Sequence, residues 1–434
     1  MNENRVEFTP EMRKTHTILA PTMLPIHFGL FEQILKRNGY KIEILKTMHP
    51  QIMDEGLKNV HNDTCYPALL VIGQMIDALK SGKYDPDKTA LMITQTGGGC
   101  RASNYISLLR KALVKSGYPN VPVISLNLAM LEKNSGFHLT LPMLVQACFA
   151  AIYGDMLMCL SNQCKPYETS PGRTQRVLDK WTAELGNQFK NGGYMRVKKN
   201  YRHILNDFDS IPKTNEQKIK VGIVGEIYLK YSPLGNNALE DFLIAEGAEP
   251  VVSGVLDFAL FGLSNSFMDH KLYGRKGFVR IPSWIAMQYM LSRQKQMINA
   301  IREHGTFTPP TGFKHLPKLV DGVIGRGTKM GEGWLLTAEM LEYIDSGINN
   351  IVCAQPFGCL PNHIVAKGMM RNIKDAHPNA NIVAIDYDPG ATKINQENRL
   401  KLMLANARAN EKAAQQNTAQ KSLPAKEYKE KAYV

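Results

Sequence analysis

The stretch QTGGGCRASNY (95–105) sets a glycine-rich loop, a cysteine and an arginine directly behind the apolar run Ala90-Leu91-Met92-Ile93. Two chemistries fit it. Gly97, Gly99 and Ala102 satisfy the G-x-G-x-x-A spacing with which backbone approaches a dinucleotide phosphate. Alternatively, the glycines serve Cys100, because two more cysteines share its setting. Cys65 stands before a helix with Pro67 in its first turn and Leu69, Ile72, Ile76 and Leu79 on one face. Cys359 stands before Pro361, with Val365, Met369 and Ile373 at a spacing of four, and Cys100 before Ile106, Leu109 and Leu113. Unpaired N–H groups at a helix start carry about half a positive charge and favour an anion. A thiolate there has a lowered pKa and is ready to bind metal. An anionic iron–sulfur cluster uses N–H donors to its sulfurs in the same way.

Read singly, each of these cysteines is as well explained as a small buried hydrophobe. Three matched contexts shift the weight, and the pattern alone leaves metal binding and packing level. Cys148, Cys159 and Cys164 lie on the apolar helix 142–164 and are expected to pack, while Cys353 ends a strand and is ambiguous. A dinucleotide site wants an acidic residue about 20 residues on. Here the next strand ends in the uncharged Asn127, and no G-x-x-x-x-G-K-[ST] motif occurs. A nucleotide-binding module using GGGCRA stays open as an alternative.

Other residues carry weaker signals. Glu226 and Tyr228, in GEIYLKYSP, sit at the carboxyl end of a strand, where α/β ligands bind, or form a capped turn with a packed tyrosine. Arg101 and Asn104 could hydrogen-bond a cluster or substrate. His363 reads as a capping or packing residue and GEGW (331–334) as helix punctuation. No hydrolase triad is evident.

The elements that must position these residues alternate. Strands at HTILAP (16–21), KIEIL (41–45), ALMIT (90–94) and VPVISL (121–126) interleave with helices at 24–37, from Pro67 and from Ala102. A second series repeats the rhythm. It has strands KVGIVG (220–225), PVVSGV (250–255), INNIVCAQP (348–356) and NIVAID (381–386), with helices at 238–247, 334–347 and from Pro361. Such alternation predicts α/β architecture with parallel, doubly covered sheets. We expect two Rossmann-like lobes with the cluster in the cleft between them. Residues 1–14 form a leader, 15–170 the first lobe, 171–215 a helical connector, 216–408 the second lobe, and 409–434 a basic, flexible tail.

The 434 residues suit two packed domains, and 44% hydrophobic with 21% charged residues is ordinary for a globular protein. The start MNENRVEFTPEMRKTH lacks the apolar core of a signal peptide. The longest apolar run, Ala147–Tyr153, is seven residues and reads as a buried helix, not a membrane span. The expected location is cytoplasmic, where seven cysteines are not a disulfide framework. The net charge of +13 suits a polyanionic partner, but no aromatic-basic motif supports nucleic acid.

Five stretches carry a resemblance: HNDTCYPALLVIGQ (61–74), ITQTGGGCRASNY (93–105), LPMLVQACFAAIYGDMLM (141–158), VGIVGEIYLKYSP (221–233) and CAQPFGCLPNHIVAKG (353–368). In them the chain resembles the iron–sulfur 2-hydroxyacyl-CoA dehydratase component family. It is most similar to the dehydratase-like C-terminal part of the large fused acyl-CoA dehydratase activase proteins. The resemblance implies that Cys65, Cys100 and Cys359 hold one 4Fe-4S cluster between the lobes, with one iron open to a thioester carbonyl. It further implies an ATP-dependent activase as low-potential electron donor, an acyl-CoA substrate, and a second dehydratase-like subunit or a homodimer. The implied reaction is that of a lyase or reductase component, in which a ketyl radical anion expels hydroxide. Cys353 in the fourth position would close the cluster and make an electron-transfer component. A double-cubane cluster, as in a related branch of small-molecule reductases, would have to draw on Cys353, Cys159 and Cys164.

Overall fold

In the computed structural model the described residues are 5–61, 63–95, 98–126, 132–274 and 280–421, without side chains for 414–421. Gly97, Asn127 and the tail beyond Lys421 lie outside them. The first lobe runs α1 (Pro10–Thr15), β1 (Thr17–Pro21), α2 (Pro25–Arg37), β2 (Ile42–Leu45), α3 (Gln51–Asn59) and α4 (Tyr66–Lys80). It ends with β3 (Thr89–Thr94), α5 (Tyr105–Lys115) and β4 (Val123–Leu126). The middle helices are α6 (Leu141–Cys164), α7 (Arg173–Asn191) and α8 (Val197–Asp209). The second lobe opens with β5 (Ile219–Gly225), α9 (Ile227–Tyr231), α10 (Leu239–Ala245), β6 (Ala248–Val252) and α11 (Val255–Tyr273). There follow α12 (Arg280–His304), α13 (Leu316–Leu319), α14 (Trp334–Asp345), β7 (Asn350–Pro356) and α15 (Leu360–Val365). The lobe closes with α16 (Met370–Ala376), β8 (Asn381–Tyr387) and α17 (Lys393–Lys421).

Each lobe holds a four-stranded parallel sheet, ordered β2-β1-β3-β4 and β6-β5-β7-β8. Helices cover both faces, which is why TALMIT and IKVGIVG are buried almost throughout and read as apolar runs. The order reverses between β1 and β3, and again between β5 and β7. In open α/β sheets that crevice at the carboxyl ends is where ligands bind.

The lobes are packed onto each other. One core joins α2, α6, α7 and α8 to Leu256, Phe261 and Trp334 of the second lobe, and another joins Leu19, Cys65 and Leu91 to Val221, Ile223 and Tyr228. The predicted connector is thus a helical layer that contributes Trp181, Leu185, Phe189 and Phe208 to the shared core. Asp155 on α6 adds a polar tie. It sits 2.8 Å from His27 Nε2 on α2 and accepts the backbone N–H groups of Val255 and Leu256 at the start of α11.

Some sequence expectations need correcting. The strand expected over 250–255 is β6 (Ala248–Val252), because Gly254 caps α11 and the chain turns helical at Val255. The helix expected from Ala102 starts as a tight 3-10 turn, Arg101–Asn104, and becomes α-helical at Tyr105. The helix after Pro361 breaks at Ala366 into α15, a 3-10 turn and α16. The first part of the stretch expected as a tail continues α17 to Lys421. Helix α6 as a whole belongs to a stretch long and apolar enough to cross a membrane, unlike the seven-residue run within it. Yet 61% of that stretch's most apolar window is buried in the protein.

Helix α3 was not expected, and it fixes the first cysteine. A Cβ on its Gly56 would collide with the carbonyl of Leu69 on α4, and one on Gly73 with the carbonyl of Ile52. Two bare glycines therefore let α3 and α4 cross backbone to backbone, locking the helix that begins behind Cys65.

Candidate thiol site between the lobes

Each of the three cysteines occupies the N-cap position of its helix or turn: Cys65 before α4, Cys100 before the 3-10 turn and Cys359 before α15. An N-cap serine would fold back to accept an N–H of the first turn. None of the three thiols makes that cap hydrogen bond within ordinary geometry, yet first-turn N–H groups face each sulfur: Ala68 for Cys65, Arg101 and Ala102 for Cys100, and Asn362 for Cys359.

The loops that carry them meet. The N–H of Tyr66 donates to the Phe357 carbonyl at 2.9 Å, joining the start of α4 to the segment before Cys359. Between them lies Gly358 at φ +70°, where a Cβ would stand 3.1 Å from Cys65 Cα. The Cys100 segment reaches the same place through Tyr105, whose hydroxyl is 2.8 Å from Cys65 Sγ. A fourth loop covers Cys100: a Cβ on Gly99 would strike the Met330 side chain, and one on Gly331 would crowd Pro361 at 3.1 Å. Cys65 and Cys359 are buried and Cys100 is half-buried.

Two carboxyls complete the site. Glu226 leaves β5 and accepts the Leu229 N–H at 3.0 Å, and Glu332 accepts the Ile227 N–H at 2.9 Å, so both cap the short α9. Among the described residues neither is in an ion pair. Lys230, on the same helix, is committed elsewhere, 2.7 Å from Glu339 and 2.9 Å from Ser253 Oγ. Burial, then the charge of Glu332, holds Glu226 well above the usual carboxyl range; burial also lifts Glu332. Burial pushes the Cys65 thiol up to about 11, against the Tyr105 hydrogen bond, with the charges of Glu226 and Cys100 adding to the rise. Burial likewise raises Cys100 and Cys359, and both feel Glu226 and Glu332. Five acidic groups thus converge where anions are unwelcome, and a bound cationic centre would reverse that balance.

Among the described residues no three His, Cys, Asp or Glu side chains stand as a ready set for one metal ion. An iron–sulfur cubane is wider than an ion, and thiols that hold one stand further apart. The donor set fits such a cluster chemically: soft sulfur donors, helix-start N–H groups and, among the described residues, no basic side chain paired to them. Gly358 and Gly99 keep the backbone close without filling the space with side chains.

The remaining cysteines are elsewhere. Cys353 is buried in β7, with Sγ 3.6 Å from Asn362 Oδ1, and the charges it feels are those of Asp386 and Lys367. Cys159 lies near the Thr308 carbonyl and Cys164 near that of Phe208, while Cys148 packs at the edge of the core beside Arg293. Arg101 and Asn104 are exposed. His363 Nδ1 is 2.8 Å from the Cys359 carbonyl and 2.6 Å from Gln355 Nε2 on β7, so the ring packs between α15 and the strand. Glu226 is both the turn cap and a member of the site. The GEGW turn does punctuate α14, with Gly331 and Gly333 at positive φ, but it also delivers Glu332, which the sequence reading passed over. Tyr105 was passed over as well. Its position five residues after Cys100 in GGGCRASNY was the only available clue. A comparison of the chain with protein-family models, with curated proteins and with solved structures finds no match.

Proposed function

We propose that this protein is the cluster-bearing component of a low-potential reductive enzyme, with Cys65, Cys100 and Cys359 as ligands of one 4Fe-4S cluster. The observation that carries the reading is the meeting of three cysteines at helix N-cap positions, their sulfurs facing first-turn N–H groups, at the crevice of two packed lobes. Such a cluster supplies one-electron chemistry and, with an iron left open, a Lewis acid for a carbonyl oxygen. The chain's own part is to hold three thiolates, exclude water by the Met330 and Gly358 loops, and set the Glu226 carboxyl, held by burial well above the usual carboxyl range, beside them. A proton held there is available to a departing hydroxyl, which fits dehydration of a 2-hydroxyacyl thioester. The electron donor is an ATP-dependent activase. Exposed Met330, Phe357, Leu360 and Ile364 lie on the site's own loops and offer apolar surface to such a partner or to a second dehydratase-like subunit. The position of Cys353 in the strand, away from the three, favours an open fourth iron over a closed electron carrier.

Anaerobic purification or reconstitution tests this directly. Iron and acid-labile sulfide in equal amounts, with a reduced EPR signal that changes on adding a 2-hydroxyacyl-CoA, is the expected result. A colourless, iron-free protein that binds a nucleotide instead would overturn it in favour of the GGGCRA phosphate loop.

A further inference from the structure

Tyr105 sits on one ligand-bearing segment and touches another. It follows Cys100 by a single 3-10 turn, yet its hydroxyl lies 2.8 Å from Cys65 Sγ on the α4 segment. The side chain is buried in the core that holds Cys65, Leu69 and Leu109. Phenol and thiol can each donate in such a pair while both carry protons. Once a metal displaces the Cys65 proton to solvent, a proton remains only on the phenol, and the bond can run one way, from O–H to sulfur.

We propose that Tyr105 is a positioning residue that donates its hydroxyl proton to the Cys65 thiolate and thereby sets the electron affinity of the metal centre. The inference rests on reading the site as a cluster, and it deepens that reading. A donor to a ligand sulfur withdraws charge from the metal and favours the more negative, reduced state. Between two buried side chains the bond is stronger than it would be in solution. The three sulfurs are unequal in this respect: each faces first-turn backbone N–H groups, Ala68 for Cys65, Arg101 and Ala102 for Cys100 and Asn362 for Cys359, and among the described residues Cys65 has a side-chain hydroxyl in addition. The same bond ties the Cys100 segment to α4, so it also fixes the separation of two ligands.

The test uses the full chain, reconstituted without oxygen, as wild type and Tyr105→Phe. We expect Tyr105→Phe to keep its iron and to shift the oxidised-to-reduced ratio at a given potential by about tenfold, a midpoint lower by about 59 mV for one electron. The reduced EPR signal should also lose one hyperfine coupling to a proton that exchanges in deuterated water. An unchanged midpoint with the coupling retained overturns the proposal while leaving the cluster in place. Should the phenylalanine variant fail to hold iron, 3-fluorotyrosine at position 105 keeps the shape with a more acidic phenol. Its midpoint should rise, and a midpoint equal to that of wild type overturns the proposal. Wild-type protein without iron overturns both this inference and the reading beneath it.

Discussion

The two lobes share one strand order but deliver different groups to the same edge. In each, the third strand in the chain lies beside the first and runs into a cysteine, β3 toward Cys100 and β7 toward Cys359. Behind the first strand the lobes diverge, since β5 runs into Glu226 whereas β1 runs into Thr22 and Met23. The loops differ too: residues 95–99 precede Cys100, and only Phe357 and Gly358 separate β7 from Cys359. The short loop buries its thiol and the long one leaves it half-buried. Topology alone thus sets where a cysteine-bearing loop emerges, and loop length sets how buried that thiol is.

The largest expected effect breaks the equivalence between cysteines at the edge and cysteines in the sheets. Cys359→Ser or Cys65→Ser should lose nearly all iron after anaerobic reconstitution, and Cys353→Ser should keep the wild-type amount. Iron per chain, measured on folded protein, decides it. Equal retention in Cys359→Ser and Cys353→Ser would remove the distinction between the two positions.

Much of this arrangement was legible in the residues. Pro67 and Pro361 marked helix starts, the stripes behind them marked buried faces, and the apolar strands gave away sheets covered on both sides. What stayed hidden was long-range. Nothing in GEGW announces that Glu332 will cap a helix more than a hundred residues earlier, because that depends on two positive-φ glycines turning the chain over Thr328. The crossing of α3 on α4 was equally silent, because nothing local to Gly56 or Gly73 marks the neighbouring backbone that each admits. PVVSGV looked like strand throughout because the β-branched Val251, Val252 and Val255 run through it. The switch to helix at Val255 is set by a carboxylate from α6, Asp155, which no local pattern contains.

Glu226 sharpens the contrast between the first-strand loops. Its carboxyl is raised in the folded protein, so the native state binds more protons than the unfolded chain once pH passes the ordinary carboxyl range. Stability of the metal-free protein should therefore fall as pH rises through that window and be unaffected below it. Glu226→Gln keeps an oxygen for the Leu229 N–H and removes the titration. At pH 8 it should be more stable than wild type by on the order of 2 kcal/mol, and at pH 4 no different. Thermal unfolding of the two apo proteins at both pH values tests the sign; a destabilised variant at pH 8 would mean that the charge is compensated.

A smaller effect is expected at Gly358. Alanine there adopts the left-handed backbone at a cost of about 1–2 kcal/mol and also presses on Cys65. Gly247→Ala is the control, as φ is +78° there and nothing stands within 4 Å of the added methyl. Both should lose stability in a denaturant titration, but only Gly358→Ala should also lose iron. If both variants keep full iron, the contact between the Cys65 and Cys359 loops does not shape the site.

The finest distinction is between the two strand-end thiols themselves. Alkylation proceeds through the thiolate and needs access to the sulfur, so burial slows it twice. In metal-free protein at pH 8, Cys100 should react with iodoacetamide at least about tenfold faster than Cys359, a difference of about 1.4 kcal/mol. Peptide mapping at short times separates the two sites. Cys65, pushed up to about 11 and covered by Tyr105, should follow Cys359 in lagging behind Cys100. Faster labelling of Cys359 would show that the short β7 loop opens more readily than the glycine loop, and loop length would then no longer explain how the lobes differ.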